Sequence, residues 1–449
     1  MPHAKRMVEG KIPDLIKSLA IPASVGFFFQ TMFNVVDTYW AGVLSTEAQA
    51  ALALSFPIFF IIIATGSGIS TAATVLISHS LGAKKKEAAA QYACQALSFA
   101  LAVSVLLTAG GLLASPFLFT LLGASSTYLV SSLAYMNVLL LGTVFFMLSF
   151  ALNSFLSSQG DTKSFRNALI VGFFLNVILD PLFMLGFGPI PAMGVAGVAW
   201  ATVLVQALTA AYLWHKLRLT GLLSGLNAEH YVPKPGLFFE IAKQGIPASL
   251  NMLTVAIGIF VITYYVSQFG KDAVAAYGIA TRVEQIMLLP TIGLNIAALT
   301  LIGHNHGAKQ FGRVKEIYAA CLKYGTALTA IGMVVLFIFA ENFMRLFTAD
   351  EKVIAIAVPY LHIAAFIFWA YVLMFLTTSM LQGLKKPVFA VWIGIYRQIL
   401  APIILFWLLS SYFGLGIIGI WYGVFLVNWS GAAIGLWYGH GVLKKVHLI

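Results

Sequence analysis

Apolar residues run along this chain in blocks far longer than the stripe that one face of a soluble helix carries. With glycine, proline and charged residues read as breakers, they predict twelve helices. These lie near 12–43, 51–81, 89–115, 127–156, 166–187, 194–216, 238–268, 273–304, 315–341, 353–382, 388–411 and 415–443. Each block holds the roughly 20 residues that a helix needs to cross the hydrocarbon core of a bilayer. Residues 88–160 contain no charge at all, so the break within them is placed at Pro116, Gly123, Ser125 and Ser126. The fold class is thus an all-α membrane protein with twelve transmembrane helices.

The pattern then repeats. Ile21-Pro22-Ala23-Ser24 returns as Ile246-Pro247-Ala248-Ser249, and the segment Ile77 to Lys84 is echoed by Ile302 to Lys309, both displaced by 225 residues. Gln159-Gly160 matches Gln382-Gly383, and Gly194 to Gln206 resembles Gly416 to Asn428 at a shift of 222. Six spans per half is an even number, so both halves enter the membrane in the same orientation. That predicts two six-helix bundles, residues 1–217 and 238–449, related by a pseudo-two-fold axis along the membrane normal with a cavity between them. Residues 218–237 form the linker.

Composition agrees: 60% of the 449 residues are hydrophobic and 9% charged, too few charges to cover a water-soluble protein of this length. The net charge of +11 does not point to nucleic acid, because the basic residues sit in short alternate loops rather than on one soluble surface. Those loops hold eighteen of the 26 Lys and Arg, among them Lys84, Lys85, Lys86, Lys309, Lys385 and Lys386. The intervening loops hold Lys271, Arg345 and Lys352. By the positive-inside rule both termini face the cytoplasm of a bacterial cell whose inner membrane the chain spans. The first apolar segment is too long for a signal-peptide core and lacks a cleavage site, so it reads as a retained helix. Cys94 and Cys321, far apart in apolar stretches, read as packing residues.

A charge at membrane depth costs roughly 2.5–3.5 kcal/mol on insertion scales, so each needs a reason. Five stand out: Asp37, Asp180, Arg282, Glu284 and Arg397. Asp37 and Asp180 lie at about one depth below the outer ends of spans one and five, at 1.5 Å per residue. Asn176 is one turn from Asp180 on the same helical face, and Thr202 of span six lies at the same level. The set is rich in oxygen and suits H⁺ or Na⁺. Two nearby carboxylates in a low dielectric cannot both stay ionised without a cation, so the pair should titrate as a coupled unit. The alternative is that each Asp merely bonds nearby backbone.

Gln30, Phe33 and Asn34 continue the stripe that ends at Asp37 and, with Asn153 on the fourth span, are candidates for substrate contact. Pro22 removes a helix hydrogen bond and Gly26 offers little resistance to bending, so span one could bend below Asp37. Glu284 and Arg397 have no first-half counterparts; both count to mid-membrane and could form an ion pair, here expected to be structural. Arg282, two residues from Glu284, faces away from it. Gly66-Ser67-Gly68 reads as helix packing, and His304-Asn305-His306 does not read as a metal site, because side chains two apart on a helix diverge. No catalytic constellation or P-loop is found, so neither an enzyme nor an ATP-driven pump is expected.

With its two six-helix halves, paired Ile-Pro-Ala-Ser segments, Gly-Ala-Lys ends of spans two and eight, and Pro22, Gly26, Gln30, Asp37, Asn176 and Asp180, the chain resembles the multidrug and toxic compound extrusion (MATE) family, within it the DinF-like branch. The resemblance implies efflux of small-molecule drugs and lipophilic cations driven by inward H⁺ or Na⁺, without cofactor or nucleic-acid partner. The chain is expected to be a monomer in lipid. It implies Asp37 as the ion-responsive carboxylate on a bending helix, completed by Asp180 and Asn176. The NorM-like branch carries acids on spans seven and ten; this sequence has none there, which favours first-half coupling and protons. A flippase for lipid-linked sugars is the rival reading, but it would call for a cluster of cavity arginines, and only Arg282 and Arg397 are available.

Overall fold

A computed structural model describes residues 2–124, 126–221, 223 and 227–446. Ser125, one of the expected break points, and parts of the linker lie outside the described residues. A short helix α1 (Pro2–Glu9) is followed by α2 (Ile12–Leu44), α3 (Thr46–Gly82), α4 (Lys86–Leu121), α5 (Ser126–Leu141), α6 (Thr143–Ser158), α7 (Lys163–Leu185) and α8 (Val195–Leu219). Then come α9 (Pro235–Ser267), α10 (Lys271–Gly307), α11 (Phe311–Arg345), α12 (Glu351–Gly383), α13 (Val388–Ile395), α14 (Ala401–Phe406) and α15 (Gly416–Lys444). In lipid only a helix satisfies its own backbone polar groups, so these long apolar blocks have no other stable form. Among the described residues eleven segments are long and apolar enough to cross a membrane singly, and a bent pair brings the number to twelve.

That pair stands where one continuous helix was expected at 127–156, and it is broken. Tyr128–Leu141 and Thr143–Ser158 meet at 45°. Between them Gly142 touches α8: a Cβ there would lie 2.3 Å from Val203 Cγ2. Pro116 also does not end α4, which runs on to Leu121; the turn comes at Gly123, whose φ of +86° suits glycine. The eleventh span, Val388–Tyr412, contains two π-helical stretches, Tyr396–Leu400 and Trp407–Tyr412.

Packing divides the chain into two compact units, and their limits follow neither the expected 217 nor the expected 238. One unit is Val25–Ser249; the other joins Ala4–Ser24 to the chain from Leu250 onward. The crossings, Ser24 to Val25 and Ser249 to Leu250, are again 225 residues apart, and each closes an Ile-Pro-Ala-Ser segment.

In the first unit Phe119, Met136, Phe146, Met147 and Phe155 of α4–α6 form the core, joined by Ile241 from the start of α9. Gly68 of α3 is where α9 crosses: a Cβ on it would lie 1.9 Å from Ser249 Oγ and 2.5 Å from the Gly245 carbonyl oxygen. The second unit repeats this arrangement. Leu15, Ile16 and Leu19 of α2 pack with Leu301, Ile317, Leu376 and Met380 of α10–α12. A Cβ on Gly293 would lie 2.2 Å from the Ala20 carbonyl oxygen and 2.3 Å from Ser24 Oγ. Gly68 and Gly293 also differ by 225, so glycine is needed at both for close helix approach. The Gly66-Ser67-Gly68 reading as helix packing therefore holds.

The linker is pinned to the first unit by α4. Buried Gln95 donates through Nε2 to the carbonyls of His230 (2.7 Å) and Val232 (2.8 Å) and accepts from the Lys234 amide (2.8 Å). Tyr92 donates to Glu240, and Cys94 and Cys321 are free and buried.

Candidate functional site

Asp37 is carried by the C-terminal part of α2, Asn176 and Asp180 by α7, and Thr202 by α8. All four lie in the first unit and all are buried: Asn176 and Asp180 are 0% exposed, Thr202 4% and Asp37 6%. Seven residues separate Asp37 from the end of α2 and Thr202 from the start of α8, so helical rise brings them to a common depth.

One amide joins the set. Asn176 Nδ2 donates to Asp37 Oδ1 at 2.7 Å and to Asp180 Oδ2 at 2.6 Å, while Thr202 Oγ1 donates to Asp37 Oδ2 at 3.3 Å and lies 3.1 Å from the Val198 carbonyl. The cluster is long on acceptors. Asn176 Oδ1 and Asp180 Oδ1 are buried with no hydrogen-bond donor among the described residues. Two carboxylates at a buried amide are a poor arrangement for two full negative charges, and one unmet acceptor, Asp180 Oδ1, belongs to the pair itself. A proton on one carboxyl, or a cation among these oxygens, would relieve both conditions.

Tyr135 of α5, absent from the expected site, is buried and lies within electrostatic reach of Asp37 and Asp180. Its signal was faint: α5 carries other hydroxyls at helical spacing, Ser131 and Ser132, and nothing in the sequence shows which of them reaches the carboxylates. The other expected residues scatter. Gln30 is half-buried and its Oε1 has no donor; Phe33 is half-buried; Asn34 is exposed. Asn153 is buried inside the first unit, where its Oδ1 accepts from Ser157 Oγ at 3.2 Å. Pro22 lies within an unbroken α2. Gly26 is a packing residue as well as a permissive one: a Cβ there would lie 3.2 Å from Leu169 Cδ1 and 3.3 Å from Arg166 Cα of α7.

The second unit departs from expectation. Glu284 and Arg397 form no ion pair. Glu284, 5% exposed, accepts from Tyr360 Oη at 2.6 Å. Arg397 Nη1 donates to Asn428 Oδ1 at 3.2 Å, and its guanidinium lies 5.5 Å from the ring centroids of both Tyr371 and Phe375. The phenol of Tyr360 and the aromatic faces are not legible as partners, because sequence spacing cannot show which helices they reach. Arg282 is exposed and Glu284 buried, as two positions on opposite faces should be. Among the described residues no group of three or more His, Cys, Asp or Glu side chains could hold a metal ion.

Comparison with known proteins places this arrangement. The MatE family model matches twice, over residues 22–182 and 247–408, each match beginning at the proline of an Ile-Pro-Ala-Ser segment. The chain belongs to the MatE family. Among its relatives is "Probable multidrug resistance protein YoeA" of Bacillus subtilis, 27% identical over 86% of this chain and 83% of that protein. Another is "Probable multidrug resistance protein NorM" of Thermotoga maritima, 26% identical over 92% and 90%. Crystal structures described as MATE in the straight and in the bent conformation each superpose with a TM-score of 0.92 at 25% identity, covering 99% of both chains and 100% of both chains respectively. Like those proteins, this MatE-family chain is a multi-pass helical membrane protein. The two matches start 225 residues apart, the displacement that the repeat shows in the sequence.

Proposed function

We propose that this MatE-family protein exports lipophilic, mostly cationic small molecules from a bacterial cell in exchange for an inward cation, H⁺ in preference to Na⁺. The observation that carries the reading is the single Asn176 amide bonded to two buried carboxylates, with acceptors left over on Asn176 and Asp180. Such a cluster binds a proton or small cation reversibly, because occupancy relieves both charge repulsion and unmet acceptors. Relatives named for multidrug resistance support the efflux half of the proposal and give none to a flippase.

The cycle follows from the placement of Asp37. In its ionised form it holds the outer part of α2 to α7 and α8 through Asn176 and Thr202 and attracts a cationic substrate. Protonation from outside removes the attraction and weakens both bonds, so α2 is freed to bend near Pro22, where its packing partners change from one unit to the other. The energetics are sufficient: a unit of pH difference supplies about 1.4 kcal/mol per proton. Exchange of one proton for one monovalent cation moves no net charge, so it would draw on the pH gradient and not on the membrane potential.

The test is flux of a fluorescent lipophilic cation in proteoliposomes under an imposed pH gradient or, separately, a Na⁺ gradient, for wild type and Asp37→Asn at matched protein levels. Asp37→Asn keeps an acceptor for Asn176 and should fold, yet lose gradient-driven export. Undiminished flux in that variant would remove Asp37 from coupling. Orientation is part of the proposal, with both termini cytoplasmic. A cysteine at Ser45 should therefore react with an impermeant reagent outside intact cells and one at Lys386 should not; the reverse pattern would invert the topology.

A further inference from the structure

The first unit carries a groove that the export cycle does not use. It holds about 510 Å³ between α7 and α8, and Ile170, Val171, Leu175, Val205 and Leu208 line most of it. Its floor is the close approach of the two helices at Gly172, where a Cβ would lie 3.0 Å from Val205 Cγ1. Its rims are open, since Val171 is 57% and Leu208 47% exposed. An apolar trough open along a helix pair that spans a bilayer is shaped for an acyl chain.

One end of the trough is polar. Asn167 and Tyr212 line it where α7 begins and α8 ends. Arg166 donates from Nε and Nη2 to Asn167 Oδ1 at 3.1 and 2.7 Å, and Lys216 Nζ lies 5.5 Å from the centroid of the Tyr212 ring. Both cations are thereby held at the mouth. Neither meets an acid among the described residues, whose ion pairs are Lys5 with Glu9 and Arg345 with Glu341 and Glu351. Asp161, the acid nearest Arg166 in sequence, accepts instead from the amide and hydroxyl of Ser164.

The repeat supplies a comparison. At the shift of 222, Asn167 and Lys216 correspond to Phe389 and Tyr438, and Arg166 to Val388. There the two rings stack, with centroids 4.4 Å apart and planes inclined by 4°, so aromatic packing closes the corresponding mouth. The first unit places an amide and two cations where the second has a stacked pair. A basic opening at the end of an apolar trough between two spans suits the phosphate and one chain of an anionic lipid.

We infer that the α7–α8 groove seats one acyl chain of an anionic phospholipid, with Lys216 and Arg166 holding its phosphate. The leaflet is the cytoplasmic one on the orientation proposed above; binding itself depends on neither that orientation nor export.

The probes are phosphatidylglycerol and phosphatidylcholine with identical chains, titrated into purified protein in detergent, with bound lipid counted by native mass spectrometry. Wild type should hold one phosphatidylglycerol about tenfold or more tightly than phosphatidylcholine. Lys216→Gln should weaken phosphatidylglycerol about fivefold and leave phosphatidylcholine within about twofold. Val171→Trp fills the trough from its exposed rim and should weaken both lipids by about tenfold. Lys444→Gln, at the end of another span, should change either lipid by less than about twofold. Leu208→Trp fills the trough from α8 and replaces Val171→Trp should melting show that variant unfolded. Equal affinity of wild type for the two lipids, equal losses in Lys216→Gln and Lys444→Gln, or unchanged lipid binding with the trough filled would overturn the inference. If filling the trough weakened binding of a fluorescent lipophilic cation and left phosphatidylglycerol intact, the groove would be a substrate seat and the inference would fall as well. Failure of the orientation reading would look different: inverted labelling at Ser45 and Lys386 would move the site to the other leaflet with these affinities unchanged.

Discussion

The two halves share a backbone repeat and differ almost completely in buried polar chemistry. At shifts of 225 and 222, the positions of Asp37, Asn176, Asp180 and Thr202 are taken in the second half by Ile262, Gln398, Pro402 and Val424. The positions of Glu284 and Arg397 are taken in the first half by Phe59 and Leu175. Gly26, which lets α2 approach α7, has Asn251 as its counterpart. What both halves keep is the crossing: a Pro-Ala-Ser segment seated on a glycine of a second helix, at Gly68 with Ser249 and at Gly293 with Ser24. Repetition therefore preserved the joints while the chemistry diverged. One half carries excess carboxylate oxygen, and the other a guanidinium on aromatic faces.

If the joints are common property, substitutions there should be equally severe in both halves, the largest effect expected. Gly68→Val and Gly293→Val both drive a side chain into a neighbouring backbone and should cost roughly 3 kcal/mol or more. Both should sharply reduce the yield of folded protein in detergent, measured by size-exclusion chromatography and thermal melting. If one were tolerated and the other not, the structural equivalence of the crossings would fail.

The chemistry should be sensitive on one side only. Asn176→Leu removes the amide that joins Asp37 to Asp180 and should lower pH-driven export about tenfold or more, through loss of hydrogen bonds to charged groups. Gln398→Leu, at the corresponding place, should leave coupling within about twofold of wild type on the same reasoning. Flux assays in proteoliposomes compare the two; equal losses would mean that coupling is not confined to the first unit.

The smallest effect is expected at Glu284. Because it accepts from Tyr360 rather than pairing with Arg397, Glu284→Gln keeps an acceptor and should cost about 1 kcal/mol or less. Breaking a buried ion pair would have cost roughly 3–5 kcal/mol. Thermal melting in detergent separates the two figures, and a drop on the larger scale would restore the ion pair.

Much of this could be read along the chain. Span number and repeat register rest on hydrophobic run length and on identical short segments, both one-dimensional properties imposed by the bilayer's thickness and its lack of hydrogen-bonding partners. Asp37, Asn176, Asp180 and Thr202 were also legible, because a buried carboxylate is costly enough to need a reason and helical rise converts residue counts into depth.

Facing is another matter. A count along one helix gives height but not the azimuth at which it meets its neighbours. Tyr135 within electrostatic reach of the carboxylates, Tyr360 on Glu284 and the Tyr371 and Phe375 rings against Arg397 emerged only from packing. The same holds for the compact units, which exchange partners at Ser24 and Ser249 rather than in the linker. By itself the sequence determined which residues lie at one depth, since the membrane sets a single axis. Tertiary structure alone decided which of them touch, because contact depends on how closely glycines let helices approach and on how each helix is turned about its own axis.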